Sequence, residues 1–327
     1  MPSDSPAPAT APTVVEPEPV LSIVSPCYNE RGGLAELHRR LTAVCKSLAL
    51  TYEIVLVDDG SRDGTGDEIR RLAEADPHVR GVLLSRNFGH QAAVSAGYDH
   101  ARGQAVVVLD ADLQHPPELI PEFVARWRGG CDVVYAYREG ITPRLGYRVH
   151  NWLCDVKIPA EAADFRLLDR KVVDALRSLP ERRRFVRGLI AWLGFRQVGI
   201  PYRQADRFAG TPAYTLRQHL RIRLDSVLNF STAPLRLSVY LGLVTLLLGG
   251  LYAAYIIGTL VFVGRDAIPS GWPALIITVL ILGGVQLVCL GMVAEYVGRT
   301  YEEVKRRPSY VVRELVGRGA GSEAPRP

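Results

Sequence analysis

The chain of 327 residues holds only five cysteines, Cys27, Cys45, Cys131, Cys154 and Cys289, with no CxxC pair and no metal-finger spacing. An odd, unpatterned set excludes a disulfide framework and reads as reduced thiols in a cytosol-facing protein. The first twenty residues lack both a basic start and an apolar core, which excludes a secretory signal. They are rich in Pro, Ala, Ser and Glu, so residues 1–19 are expected to form a disordered tail. No GxGxxG follows the first apolar run and no GxxxxGK[ST] occurs, so a dinucleotide Rossmann site and a P-loop are disfavoured. Phosphate charge would have to be met by a metal and by arginines. The net charge of +5 is small, and no nucleic-acid partner is expected.

What the first half does contain is alternation. Apolar runs at 21–26, 52–57, 79–84, 105–109 and 132–136 read as strands. Between them lie segments with helical spacing: Leu34, Leu37, Leu41 and Val44, then Ile69 and Leu72, then residues up to His100, then 117–128. Asp63 or Ser61 is placed to cap the second helix. Strands alternating with helices of this length predict βαβ crossovers and a mostly parallel sheet.

Three of these strands end in acid: Glu30, Asp58-Asp59, and Asp110-Ala111-Asp112. In one parallel sheet such ends share an edge, where open α/β sheets bind ligands. The stretch 106–118, VVVLDADLQHPPE, is the most informative. Its two carboxylates and the amide of Gln114 suit Mg²⁺ or Mn²⁺ beside substrate phosphates. The plain alternative is a polar turn with an Asp capping the next helix.

Four blocks, PCYNE (26–30), VDDGSRDGT (57–65), RNFGHQ (86–91) and DADLQHPPE (110–118), together resemble the motif series of family 2 glycosyltransferases with the GT-A fold. Their branch is similar to the polyprenyl-phosphate glycosyltransferases: the bactoprenol glucosyltransferases and dolichol-phosphate mannose synthase. The resemblance implies a nucleotide-sugar donor, a polyprenyl-phosphate acceptor and a divalent metal, Mg²⁺ or Mn²⁺. It puts Pro26, Tyr28, Glu30, Val57, Asp59, Asp110, Ala111, Arg138, Arg183 and Arg207 at the donor, and Asp110, Asp112 and Gln114 at the metal. Asp112 and Asp164 are the implied catalytic positions, Asp164 within the block ADFRLLDR (163–170). His90 and His115 sit in motifs but are expected to bond the backbone. Two departures stand out: GTPAY (210–214) keeps only the Gly and Tyr of the family's pattern, and the stretch from Arg138 to Asp164 is short.

Chemistry limits the task of Asp164. A sugar hydroxyl would need a general base, whereas a phosphomonoester is largely dianionic at neutral pH and has no proton to lose. Asp164 is therefore expected to orient or to act electrostatically, and its plain reading is a helix cap or an ion pair with Arg166.

Residues 214–235 contain a basic amphipathic helix suited to a membrane interface, or to core packing. Residues 237–264 and 267–294 carry no charge; as helices each would extend roughly 42 Å, enough to cross a bilayer. The domain plan is thus a catalytic domain over 20–213, membrane helices over 236–264 and 267–297, and a tail over 298–327 that returns to the membrane surface or to the domain. Flanking arginines and lysines place the catalytic domain and both termini in the cytoplasm of an integral membrane protein. A homo-oligomer is left open. The rivals are a polysaccharide synthase, disfavoured because QxxRW is missing, and an inactive membrane-tethered scaffold.

Overall fold

Strands that are apolar on both faces need a cover on both faces. The computed structural model, which describes residues 19–139, 162–182, 184–203, 233–262 and 271–318, shows how the chain supplies it. The strands are β1 (Leu21–Cys27), β2 (Tyr52–Asp58), β3 (Val79–Leu84), β4 (Ala105–Val108) and β5 (Val133–Arg138). The helices between them are α1 (Arg31–Leu48), α2 (Thr65–Ala75), α3 (His90–His100) and α4 (Ile120–Arg128). On one face Ile23, Ile54, Leu56 and Val107 pack against Leu34, Leu37 and Leu41 of α1, Ile69 of α2 and Phe123 of α4. On the other, Val24, Val55, Val57 and Val108 meet Ala93 and Val94 of α3. Helix α5 (Arg170–Ser178) and helix α6 (Val186–Trp192) complete that second layer through Val172, Val173 and Leu189.

The eight-stranded sheet also takes in β6 (Ala162–Asp169), β7 (Gln197–Tyr202) and β8 (Val312–Val316), in the order β7-β5-β6-β4-β1-β2-β3-β8. β1, β2, β3 and β4 pair in parallel, and β7 is parallel to β5. β6 runs against both β4 and β5. The expected mostly parallel Rossmann-like sheet is therefore present, with two reversed strands. Asp169 ends β6 and caps α5, accepting from Lys171 N–H. Of the two destinations for the tail, the described residues reach the domain: β8 adds antiparallel to β3.

Two long helices follow, α7 (Ala233–Phe262) and α8 (Trp272–Val304). Each contains a stretch long and apolar enough to cross a membrane, Ser238–Thr259 and Ile281–Val304, of mean hydropathy 1.9 and 1.6. Neither stretch is buried inside the protein. The helices touch one another, Cys289 Sγ lying 3.8 Å from Ser238 O. The tail 1–18, the amphipathic helix within 214–232 and the connector at Arg265-Asp266 lie outside the described residues.

At the amino ends of the strands a buried polar network joins the layers. Glu53 accepts from Ser22 Oγ–H at 2.6 Å, Arg102 N–H at 2.6 Å and Arg80 Nη1 at 3.1 Å. Arg80 also donates to His100 O at the end of α3, and Ser22 Oγ accepts from Gly103 N–H. Burial alone would raise the Glu53 pKa, but the bonds from Ser22 and Arg102 and the charge of Arg80 bring it below the usual range. The stability Glu53 contributes is then present above its unfolded-state pKa and is lost as pH falls through the folded one. Glu53→Ala leaves Arg80 charged and buried, and should cost about 3–5 kcal/mol. Urea unfolding of the full chain in detergent checks this, and an unchanged midpoint contradicts it.

Candidate active site

The neighbours β4, β1 and β2 bring the three acidic strand ends to one edge, as expected. The loops after β1 and β2 interlock. Asn29, in the left-handed region at φ 56°, donates its N–H to Ser61 Oγ and accepts from Arg62 N–H. Glu30 N–H donates to Thr65 Oγ1, and Asp63 accepts from Arg31 N–H and Thr65 N–H. The N-cap of α2 is Gly64, with Asp63 bonding one residue earlier than a capping side chain would.

Asp59 is buried and ties this pair of loops to a third. It accepts from Phe88 N–H at 2.7 Å and Gly89 N–H at 3.0 Å. Burial raises its pKa, and the two N–H groups only partly offset that. Gly60 beside it has φ +67°, and a Cβ there would sit 2.4 Å from the Arg86 carbonyl carbon. Only glycine lets the two loops approach this closely. The consequence is a fixed entry into α3, whose first residue is His90.

The turn after β4 is held by its own side chains. Gln114 N–H donates to Asp112 Oδ1 at 3.1 Å, and Leu113 between them sits at φ 62°. A bulky residue in that region is strained, and strain of this kind clusters at functional turns. His115 is buried and stacks on Phe165, and its Nδ1 accepts from Asp110 N–H at 3.3 Å. This is the backbone bond expected of it.

β6 supplies the fourth acid. Val108 pairs with Arg166, so continuing that register by two residues brings Asp110 abreast of Asp164. His90 does not bond the backbone as expected; its Nε2 lies between the two carboxylates, 3.7 Å from Asp110 and 3.6 Å from Asp164. Burial opposes a charge on His90, but the contact with Asp164 and the charge of Asp110 prevail and raise its pKa to about 9. Asp164 also meets Arg166 at 3.1 Å and Arg187, one residue into α6, at 3.2 Å. Burial works against its charge, yet Arg187, His90 and Arg166 hold it well below the usual carboxylate range. The expected ion pair with Arg166 is real, and the helix cap is not: Asp164 is in a strand.

Pro26, Val57 and Ala111 are buried in the edge, whereas Tyr28 is 48% exposed. Arg138 is the exposed last residue of β5, in register with Tyr202 of β7. Arg183, Arg207 and the 210–214 segment lie outside the described residues. What the motif reading missed is Arg187 and His90 as partners of Asp164, and Gln91, whose Oε1 accepts the Val186 N–H that opens α6. In the sequence Arg187 is one of four closely spaced arginines, with Arg182, Arg183 and Arg184, and nothing local singles it out. Among the described residues no three His, Cys, Asp or Glu side chains converge to hold a metal by themselves. Asp110, Asp112 and Gln114 offer oxygen donors, which fits a hard divalent cation that completes its shell with substrate phosphates.

The model of glycosyl transferase family 2 matches residues 22–177. An uncharacterized glycosyltransferase of Synechocystis is 44% identical over 306 residues, 91% of this chain and 96% of that one. An uncharacterized glycosyltransferase of Bacillus subtilis is 40% identical, over 90% of this chain and 94% of that one. The SfII prophage-derived bactoprenol glucosyl transferase of Shigella flexneri is 38% identical, over 90% and 97%. Among solved structures, glucosyl-3-phosphoglycerate synthase of Mycobacterium tuberculosis with Mn²⁺, UDP and glucosyl-3-phosphoglycerate is 19% identical. It has a TM-score of 0.46 over 64% of this chain and 79% of that one, a likeness too slight to carry a functional reading.

Asp59→Asn turns one accepting oxygen into a donor facing a backbone N–H. It should cost about 1–3 kcal/mol, the penalty for leaving a buried N–H unpaired. Amide exchange at Phe88 and Gly89 should accelerate with it; protection equal to the parent would refute the tether.

Proposed function

Because the chain belongs to glycosyl transferase family 2, we propose that it transfers a hexose, with inversion, from a nucleotide-sugar to polyprenyl phosphate at the cytoplasmic face of a membrane. UDP-glucose is the favoured donor and GDP-mannose its competitor. The observation that carries this reading is the meeting of Asp110 and Asp164 across one His90 nitrogen, which joins the acidic turn of the donor side to a strand that the donor motifs do not include. Relatives named bactoprenol glucosyl transferase support the acceptor. So do two apolar helices in the same chain.

In this reading Asp110, Asp112 and Gln114 hold Mg²⁺ or Mn²⁺, which when bound supplies Lewis-acid stabilisation of the leaving diphosphate. Pro26, Tyr28, Glu30, Val57, Asp59 and Ala111 shape the nucleoside side, and Arg138, Arg183 and Arg207 add positive charge for phosphates. An acceptor phosphate oxygen forms the new bond to the anomeric carbon. The bond to the diphosphate oxygen breaks on the opposite face, its electron pair leaving with the nucleoside diphosphate.

Asp164 does not remove a proton. A phosphate dianion has none to give, and a carboxylate held far below its ordinary pKa is a weak base. Its work is to keep Arg187 and His90 in place beside the incoming phosphate. Arg236 in the first turn of α7 and Lys305, Arg306 and Arg307 after α8 favour a cytoplasmic catalytic domain with both termini on the same side.

The test supplies purified full-length protein, Mg²⁺ or Mn²⁺ and a short polyprenyl phosphate with a panel of labelled nucleotide-sugars. Labelled lipid should form, and should vanish with a chelator and in Asp112→Ala. Lipid product that persists in either case overturns the role given to the acidic turn, and no product from any donor favours an inactive scaffold. Because Asp164 stays ionised, the pH profile of kcat should show no acidic limb that Asp164→Asn abolishes.

A further inference from the structure

The loop between α5 and α6 delivers Arg187 to Asp164, and it is held from two directions. From the catalytic side, Gln91 Oε1 accepts Val186 N–H at 3.1 Å and Asp99 faces Arg184 at 3.8 Å. From the other side comes the end of α8. Both carboxylate oxygens of Glu303 accept from Arg182 N–H at 3.1 Å, and Arg182 Nη1 donates to Arg307 O at 3.0 Å. Tyr310 O–H donates to the second oxygen of Asp99 at 2.8 Å. Beyond it the chain is fastened to the sheet: Ser85 N–H donates to Val311 O, and Arg70 grips Glu314 through two nitrogens.

Glu303 stands where a carboxylate is electrostatically costly. It occupies the last turn of α8, whose end carries the negative pole of the helix. Glu181 lies close enough that burial and the charge of Glu303 together raise its pKa. An acid in that place, gripping the backbone of a loop 121 residues away, points to positioning.

We propose that Glu303 is a positioning residue for the acceptor. By holding Arg182 N–H it sets the described residues that lead into α6, and with them Arg187 and Asp164, at a fixed place relative to the end of the second apolar helix. That is where a phosphate borne on a lipid must be met. The inference rests on the acceptor assigned above, and it makes α8 part of the acceptor site as well as an anchor.

Steady-state kinetics of the full chain in detergent, with polyprenyl phosphate and nucleotide-sugar varied in turn, test it. In Glu303→Ala the KM for polyprenyl phosphate should rise roughly tenfold, the scale of one charge-assisted hydrogen bond, with donor KM and kcat within about twofold. Glu303→Gln keeps an accepting oxygen and should recover most of the acceptor KM. An unchanged acceptor KM overturns the proposal. So does a parallel loss in both KM values and kcat, or a Gln variant no better than Ala, since either would mark a merely structural contact. If Glu303→Ala does not fold, Tyr310→Phe decides: a smaller rise in acceptor KM alone supports the proposal, and no change refutes it. A parent protein inactive toward polyprenyl phosphate would instead bring down the assigned function, a separate outcome.

Discussion

The site depends on keeping one carboxylate charged where water is scarce. Asp164 is drawn into the edge of the sheet because β6 is wedged, reversed, between β4 and β5. A carboxylate there would neutralise unless compensated. Arg166 comes from its own strand, Arg187 from α6 and His90 from the start of α3. Each of these elements is therefore pinned to the others through one acid. Removing any partner would leave a half-buried charge less well matched, a penalty added to the loss of the contact itself.

That pinning matters because the apolar pattern cannot set register by itself. Where one face of a strand is wet, a slip of one residue exposes the core, and alternation fixes the pairing. In β1, β2 and β3 every residue but Tyr52 is buried, so a slip would exchange one apolar face for another. Polar groups at the two ends of the strands supply the missing constraint. At the amino ends Glu53 joins Ser22, Arg80 and Arg102; at the carboxyl ends Asp59 grips the Arg86 loop and Asp164 faces Asp110. The middle of the sheet contributes burial, and its ends contribute identity.

This division explains what could be read from residues alone. β1 to β5 were legible as apolar runs because their interruptions are single residues such as Ser22, Glu53 and Arg80 near the strands' amino ends, and the acids that follow stood out against those runs. β6 was not, since AADFRLLD carries a buried arginine whose partner, Asp164, lies two residues away and whose burial only the tertiary structure can justify. β7 contains Gly199 and Pro201, residues that demote a strand on sight. β8 is five residues long and pairs with a strand more than two hundred residues earlier, across two membrane-length helices. His90 was legible as a motif residue, but its contacts come from β4 and from β6, and local sequence says nothing about the second.

The same topology bears on the proposed function, in which the acceptor is a lipid phosphate met at a membrane surface. The catalytic sheet has charged ends, while α7 and α8 expose Leu, Val, Ile and Tyr around their surfaces. Apolar area on that scale is untenable in water and calls for hydrocarbon. A chain that merely tethered the two parts would let the sheet drift relative to its anchor, and each acceptor headgroup would have to be found afresh. Instead the chain leaves α8, crosses the arginine loop at Glu303 and Arg307, meets Asp99 through Tyr310 and ends as a strand of the catalytic sheet. The sheet's last strand is thus contributed by the far side of the anchor. Such a closure converts a search in three dimensions into an encounter at one height, because ordering the protein beforehand removes an entropy cost from each binding event.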